Sequence, residues 1–200
     1  MRAYAQEQKG AALTIVAFGD SLTAGYGLLP GKSYPSLLEA RLRAAGYIVR
    51  VVNAGVSGDT TGNGLSRLAW VLEEKPALAI VALGANDSLR GQDPKRSEAH
   101  LDAILERLSA SGATLLLAGM YAPRNMGAAY VKEFDGMYPR LASKHGATLY
   151  PFLLEGVAGD PKLNQDDGLH PNEAGAAVIA ERLYPVVEQL VGRLGGKGGR

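Results

Sequence analysis

Five short strand-like runs, each followed by a longer stretch of helical period, constrain this chain more than any other feature. The runs are Leu13–Phe18, Ile48–Asn53, Ala77–Leu83, Ala113–Ala118 and Ala147–Phe152. Ala77–Leu83 is continuously apolar, as strands covered on both faces are. Between the runs, Ser33–Ala45 places Leu37, Leu38, Leu42 and Ala45 on one helical face, and Thr61–Glu74 does the same with Leu65, Leu68 and Leu72. Pro76 stops that helix. Pro94 opens another, carrying Leu101, Ile104, Leu105 and Leu108. Val131–Lys144 reads as a helix that Pro139 can kink, and Pro171 begins a last helix to about Leu190. Strand and helix in alternation predict a parallel sheet with helices on both faces. The expected fold is α/β, a three-layer α/β/α sandwich whose five-stranded parallel sheet has the order 2-1-3-4-5.

The 200 residues suffice for one domain with a real core. It is expected over residues 13–193, with 1–12 disordered or the remnant of an export signal and the Gly-rich 194–200 a flexible tail. Ala3-Tyr4-Ala5 has the small-x-small form of a cleavage site, so a periplasmic or secreted location is expected, with the cytoplasm as the alternative. A net charge of +1, with both signs interspersed, gives no basic stripe for nucleic acid. No apolar run reaches the ~18 residues of a membrane span. The chain has no cysteine, which excludes a thiol nucleophile, a Cys-based zinc site and a disulfide. A monomer is the expected state.

In open parallel sheets, ligands bind outside the carboxyl ends of the strands, where the strand order reverses. Three neighbouring strands therefore deliver their following residues to one rim. Gly19-Asp20-Ser21 follows the first, Asn53 to Gly58-Asp59-Thr60 the second, and Gly84-Ala85-Asn86-Asp87 the third. A serine hydroxyl becomes a good nucleophile when a base takes its proton. His170 is the candidate base, because an imidazole ordinarily titrates near pH 6.5 and can accept and return a proton. Asp167, three residues earlier, can orient the imidazole and stabilise its charged form. The Ser21 and Gly58 N–H groups and the Asn86 amide can form an oxyanion hole, with glycine allowing close backbone approach.

These residues resemble the SGNH hydrolases, the GDSL-type esterases and lipases. Four blocks carry the resemblance: Gly19-Asp20-Ser21-Leu22, then Gly58, then Gly84-Ala85-Asn86-Asp87, then Asp167-Gly168-Leu169-His170-Pro171. They occur in the family's order, and the likeness spans about residues 13–192. Gly19–Gly27, Ser57–Thr60 and Gln165–Pro171 are most similar to bacterial arylesterase, thioesterase I and lysophospholipase L1 proteins. The resemblance implies a flavodoxin-like α/β/α fold and a Ser21–His170–Asp167 triad. It further implies hydrolysis of small carboxylic esters or thioesters, including lysophospholipids, without a cofactor. Ala85 departs from relatives that carry a second glycine there, adding a methyl beside the oxyanion hole.

Leu89-Arg90-Gly91 and Met120–Met126 follow the third and fourth strands on the same rim. Leu89, Met120 and Tyr121 are therefore the expected substrate-binding residues. Asp20 and Asp87 read as turn-stabilising acceptors, and Asp166 as a weaker rival to Asp167. His100 and His145 read as ordinary surface or helix-end residues, and Trp70 as a packing residue. Without Gly-x-Ser-x-Gly no sharp nucleophile elbow is expected, and Ser21 should occupy a more open turn. Two other readings fail on detail. Gly27–Ser33 imitates a phosphate-binding loop but has Tyr26 where that motif needs glycine. A flavin-binding module explains Ser21–Gly25 after the first strand but leaves Asp167 and His170 without a role.

Overall fold

A computed structural model describes residues 12–197. The expectations for residues 1–11, including the cleavage-site motif, lie outside the described residues. The strands are β1 (Leu13–Gly19), β2 (Val49–Gly55), β3 (Leu78–Ala82), β4 (Thr114–Ala118) and β5 (Thr148–Tyr150). All pair in parallel, in the order β2-β1-β3-β4-β5. The long helices are α2 (Tyr34–Ala44), α3 (Thr61–Glu73), α5 (Pro94–Ala110), α6 (Ala128–His145) and α7 (Glu173–Arg193). α2 packs with α7, while α3, α5 and α6 pack in sequence on one another. The three-layer sandwich and its strand order are thus as the sequence predicts.

β3 is buried at every position, and Ile15 to Phe18 of β1 are fully buried. These central strands read as unbroken apolar runs because helices cover both their faces. Truncating such a side chain, Ile80→Ala for example, costs about 2–5 kcal/mol. The register matters most for function. Gly19 pairs with Gly55 on one side and with Ala82 on the other. β1, β2 and β3 therefore end level, and the loops that follow them leave the sheet side by side.

Several local expectations need correction. Two short helices appear at the rim, α1 (Ser21–Ala24) and α4 (Ala85–Leu89). They are too short for periodicity to reveal. The last helix starts at Glu173 rather than Pro171, since Asn172 caps it by accepting from the Gly175 N–H at 3.1 Å. α6 begins three residues earlier than expected and passes through Pro139 without ending. Trp70 is 64% exposed, because the buried face of α3 runs through Leu68 and Val71 and turns Trp70 outward. Ala45 is likewise exposed, beyond the end of α2. Of the expected tail at 194–200, the described part is tied to the fold, since Gly196 accepts from the Ile48 N–H at 2.9 Å and Lys197 bridges to Tyr47, and residues 198–200 lie outside the described residues. No helix among the described residues is long and apolar enough to cross a membrane.

Candidate active site

Ser21 opens α1 directly after β1. It lies in the first turn of a helix, not in the open turn expected. The cause is Asp20, fully buried, whose carboxylate accepts from the Leu22 N–H at 3.0 Å and caps the helix. Gly25, at φ +80°, ends it four residues later. Asn53 of β2 fastens α1 by donating to the Thr23 carbonyl at 2.8 Å.

The residue furthest away in sequence meets Ser21 directly. His170 Nε2 lies 2.9 Å from Ser21 Oγ, and His170 Nδ1 lies 2.6 Å from Asp167 Oδ2. Gly168, at φ +69°, turns the chain so that Asp167 and His170 face each other. The other carboxylate oxygen, Oδ1, accepts from the Leu169 and His170 N–H groups, both at 2.9 Å. The backbone N–H of His170, followed by its ring and the Leu169 N–H, holds the Asp167 carboxyl down at about 2. Asp166, the rival in sequence, makes no side-chain hydrogen bond among the described residues.

Two contacts lock the loop that carries His170 to the loop that carries Ser21. The Tyr26 ring packs against the imidazole, with centroids 4.6 Å apart. Gln165 Nε2 donates to the Tyr26 carbonyl at 2.7 Å and to the Pro171 carbonyl at 3.0 Å.

Asn86 lies in α4 and lines the same cleft as Ser21. Its amide donates to the Asp59 carbonyl at 2.9 Å and approaches Asp20 Oδ2 at 3.4 Å, a long contact. Gly58, at φ +86°, directly precedes Asp59, whose carbonyl holds the Asn86 amide. Neither the Ser21 nor the Gly58 N–H has an acceptor among the described residues. Burial pushes the Asp20 carboxyl up to about 7, against the opposing pull of the Leu22 N–H and the charge of His170. Asp87 accepts from Thr61 N–H at 2.8 Å, Thr61 Oγ1 at 2.6 Å and Ser97 Oγ at 2.8 Å, joining α4 to α3 and α5. It is an acceptor, as expected, but it ties three helices together rather than stabilising a turn. His100 and His145 are more engaged than expected: His100 Nδ1 lies 3.1 Å from Thr61 Oγ1, and His145 Nε2 lies 2.6 Å from Asp102.

Ser21, Asn86 and His170 face one cleft of about 390 Å³. Leu89, Met120 and Tyr121 all line it, as does Ala85 with its extra methyl. Met120 is buried in the wall, whereas Leu89 and Tyr121 are exposed at the mouth. Sequence reasoning missed the far wall, built by Phe152, Leu154 and the 158–164 loop. Phe152 stacks on Tyr121 with centroids 4.5 Å apart. Its signal was available: it follows β5, so the same rim rule that found Tyr121 applies to it. Among the described residues, no cluster of three or more His, Asp and Glu side chains is arranged to hold a metal ion. Lys32, in the segment that imitates a phosphate loop, pairs with Glu173 at 3.2 Å.

Comparison with known proteins places the chain among ester hydrolases. The profile of the GDSL-like Lipase/Acylhydrolase family matches residues 17–178. Esterase TesA of Pseudomonas aeruginosa is 40% identical over 185 residues, covering 92% of both chains. Thioesterase 1/protease 1/lysophospholipase L1 of Escherichia coli is 38% identical over 182 residues, covering 90% of this chain and 86% of that one. The crystal structure of AlinE4, an SGNH-hydrolase family esterase, superposes with a TM-score of 0.76 at 50% identity, covering 90% and 97% of the two chains. These matches are to ester hydrolases and lend no support to a flavin-binding module.

Proposed function

This chain belongs to the GDSL-like Lipase/Acylhydrolase family and is a carboxylic ester hydrolase; on that premise we propose that Ser21, His170 and Asp167 are its catalytic triad and that the cleft beside them takes the acyl group. The observation that carries the proposal is the 2.9 Å contact between Ser21 Oγ and His170 Nε2. That distance is within hydrogen-bond reach for a base and its nucleophile.

The reaction follows from the contacts. Ser21 Oγ attacks the ester carbonyl carbon while its proton passes to His170 Nε2. The carbonyl π electrons move to oxygen, and the oxyanion takes hydrogen bonds from the Ser21 N–H, the Gly58 N–H and the Asn86 amide. Asp167 keeps the proton of the neutral ring on Nδ1, so that Nε2 is the free base. It also stabilises the imidazolium once formed. Collapse of the intermediate breaks the bond to the alcohol or thiol, which leaves with the proton from His170. Water then attacks the acyl-Ser21 carbonyl, gives a proton to His170, and releases the acid as Ser21 Oγ takes that proton back.

The cleft wall of Met120, Tyr121, Phe152 and Leu154 is apolar, and Leu89 and Tyr121 are exposed at its mouth. Its volume lies toward the small end of ligand sites, roughly 300–1,000 Å³. This favours short to medium unbranched acyl chains, with the alcohol or thiol portion exposed to solvent. Thioester and lysophospholipid hydrolysis enter as the activities named for the Escherichia coli relative. The test is a panel of p-nitrophenyl esters of graded acyl length, with one thioester and one lysophospholipid. The reading predicts turnover that peaks at an intermediate chain length and vanishes in Ser21→Ala. Full turnover in Ser21→Ala would remove the nucleophile assignment.

A further inference from the structure

Arg67 is a single basic residue on α3, outside every motif block, yet its guanidinium touches the end of β1 and the loop after β2, two of the three segments that deliver the oxyanion donors. Its Nε donates to Asp59 Oδ2 at 2.6 Å, and its Nη2 donates to the Gly19 carbonyl at 2.9 Å. The guanidinium carbon sits 4.6 Å above the Phe18 ring. The side chain is largely buried, only 16% exposed. Each contact lies one or two residues from a donor. Gly19 precedes Asp20 and Ser21, and Asp59 follows Gly58. The Asp59 carbonyl is the acceptor that fixes the Asn86 amide at 2.9 Å.

We infer that Arg67 is a positioning residue for the oxyanion hole, setting the loop after β1 and the loop after β2 at the spacing that makes the Ser21, Gly58 and Asn86 donors converge. The inference rests on the oxyanion reading above. Two physical points support it. First, the planar guanidinium presents two donors at a fixed angle, one to each loop, which a lysine ammonium cannot reproduce. Secondly, this is a poor device for stability alone. A buried ion pair gains little over apolar packing, and Arg67 Nη1 is buried without a protein acceptor among the described residues, which is unfavourable. α3 gives the arginine a rigid base, since Thr60 and Asn63 form a capping box at its start.

A residue of this kind acts on the transition state and leaves ground-state binding alone. The test uses Arg67→Lys, Asn86→Ala and the double variant. Two inhibitors of matched chain length are compared: an alkyl trifluoromethyl ketone, which forms an oxyanion with the serine, and the corresponding alcohol, which occupies the cleft without one. For Arg67→Lys, kcat should fall roughly 10–100-fold with KM within about twofold, since an oxyanion-hole donor is worth about 10²–10³-fold. The ketone's inhibition constant should rise with the loss in kcat/KM, and the alcohol's should stay within about twofold. The double variant should lose less than the product of the two single losses, because part of the Arg67 effect runs through the Asp59 carbonyl that fixes Asn86; fully multiplicative losses would overturn that coupling. If Arg67→Lys does not fold, Asp59→Asn replaces it, and the same split is expected at smaller amplitude.

Equal weakening of both inhibitors by Arg67→Lys, or a lower Tm with wild-type kcat and ketone affinity, would overturn the inference. A different result bears on the premise: unchanged ketone affinity in Asn86→Ala removes the oxyanion reading, whatever Arg67 does.

Discussion

Asp167 holds His170 twice: one carboxylate oxygen lies 2.6 Å from the ring Nδ1, and the other accepts the backbone N–H of the same residue at 2.9 Å. The imidazole is thus fixed in direction and tautomer by a group only three residues away. Asp167→Asn keeps most of the shape but offers Nδ1 an amide in place of a carboxylate. It should lower kcat by about 10²–10⁴-fold with little change in KM. Steady-state kinetics on one p-nitrophenyl ester checks this, and a loss below about tenfold would show that Asp167 is dispensable for turnover.

The two perturbed carboxyls act on stability in opposite directions. Asp167, held at about 2, has a folded value below its ordinary 3.8. Its contribution is present above pH 4 and is lost as the pH falls through about 2. Asp20, raised from 3.8 to about 7, binds its proton more tightly in the folded state. The folded state therefore loses stability as the pH rises from about 4 to 7, by a few kcal/mol at most on the order expected for such a shift. Asp20→Asn can keep the cap on α1 and has no charge to bury. It should flatten the stability profile across that window, with its largest gain over wild type at pH 8. Denaturant melts at pH 5 and pH 8 test this; an unchanged pH slope would mean that Asp20 titrates normally.

Much of the architecture was legible because burial on both faces writes itself into composition. The β3 run is apolar throughout, and Leu38, Leu42, Leu101 and Leu105 mark buried helix faces at the right period. The gathering of Ser21, Gly58 and Asn86 was legible because a level sheet edge brings the residues after β1, β2 and β3 together, whereas Asp167 and His170, which follow β5, were legible only by their chemistry and spacing. What escaped has no periodic signature. α1 and α4 are four and five residues long. They depend on the Asp20 cap and on Gly84 at φ +121°, where a Cβ would strike the Tyr138 hydroxyl. The far cleft wall depends on amide side chains that capture loop carbonyls. Asn164 donates to Val157 and Asp160, and Asn172 to Lys162. Such long-range choices of partner cannot be read from spacing. Arg67 shows the same limit, since nothing around it in sequence separates a buried brace from a surface arginine.

Gln165 joins the nucleophile loop to the base loop through two carbonyls, at 2.7 and 3.0 Å. Gln165→Ala should lower stability by about 1–3 kcal/mol, since two hydrogen bonds are lost and one acceptor is partly buried. It should also reduce kcat, because the Ser21–His170 distance is then less constrained. Calorimetry and kinetics together check this. Gly27→Ala should behave similarly, because its Cβ would collide with the Gln165 side chain.

Met120 is buried in the cleft wall, whereas Tyr121 and Phe152 stack beside it. Met120→Ala lengthens the apolar space and should move the preferred acyl chain to longer esters, at a cost of about 2–5 kcal/mol in stability. Tyr121→Ala, at a half-exposed position, should broaden the preference with less loss. Ratios of kcat/KM across an ester series read the effect directly. An unchanged optimum in both variants would place the acyl group elsewhere.

Covalent labelling tests the central claim most directly. A fluorophosphonate forms a stable bond to a serine oxygen only where a base activates it. Intact mass followed by peptide mapping should show one adduct, on Ser21, absent in Ser21→Ala and slowed by orders of magnitude in His170→Ala. A full-rate adduct on another residue, or equal labelling of Ser21 in His170→Ala, would contradict the account.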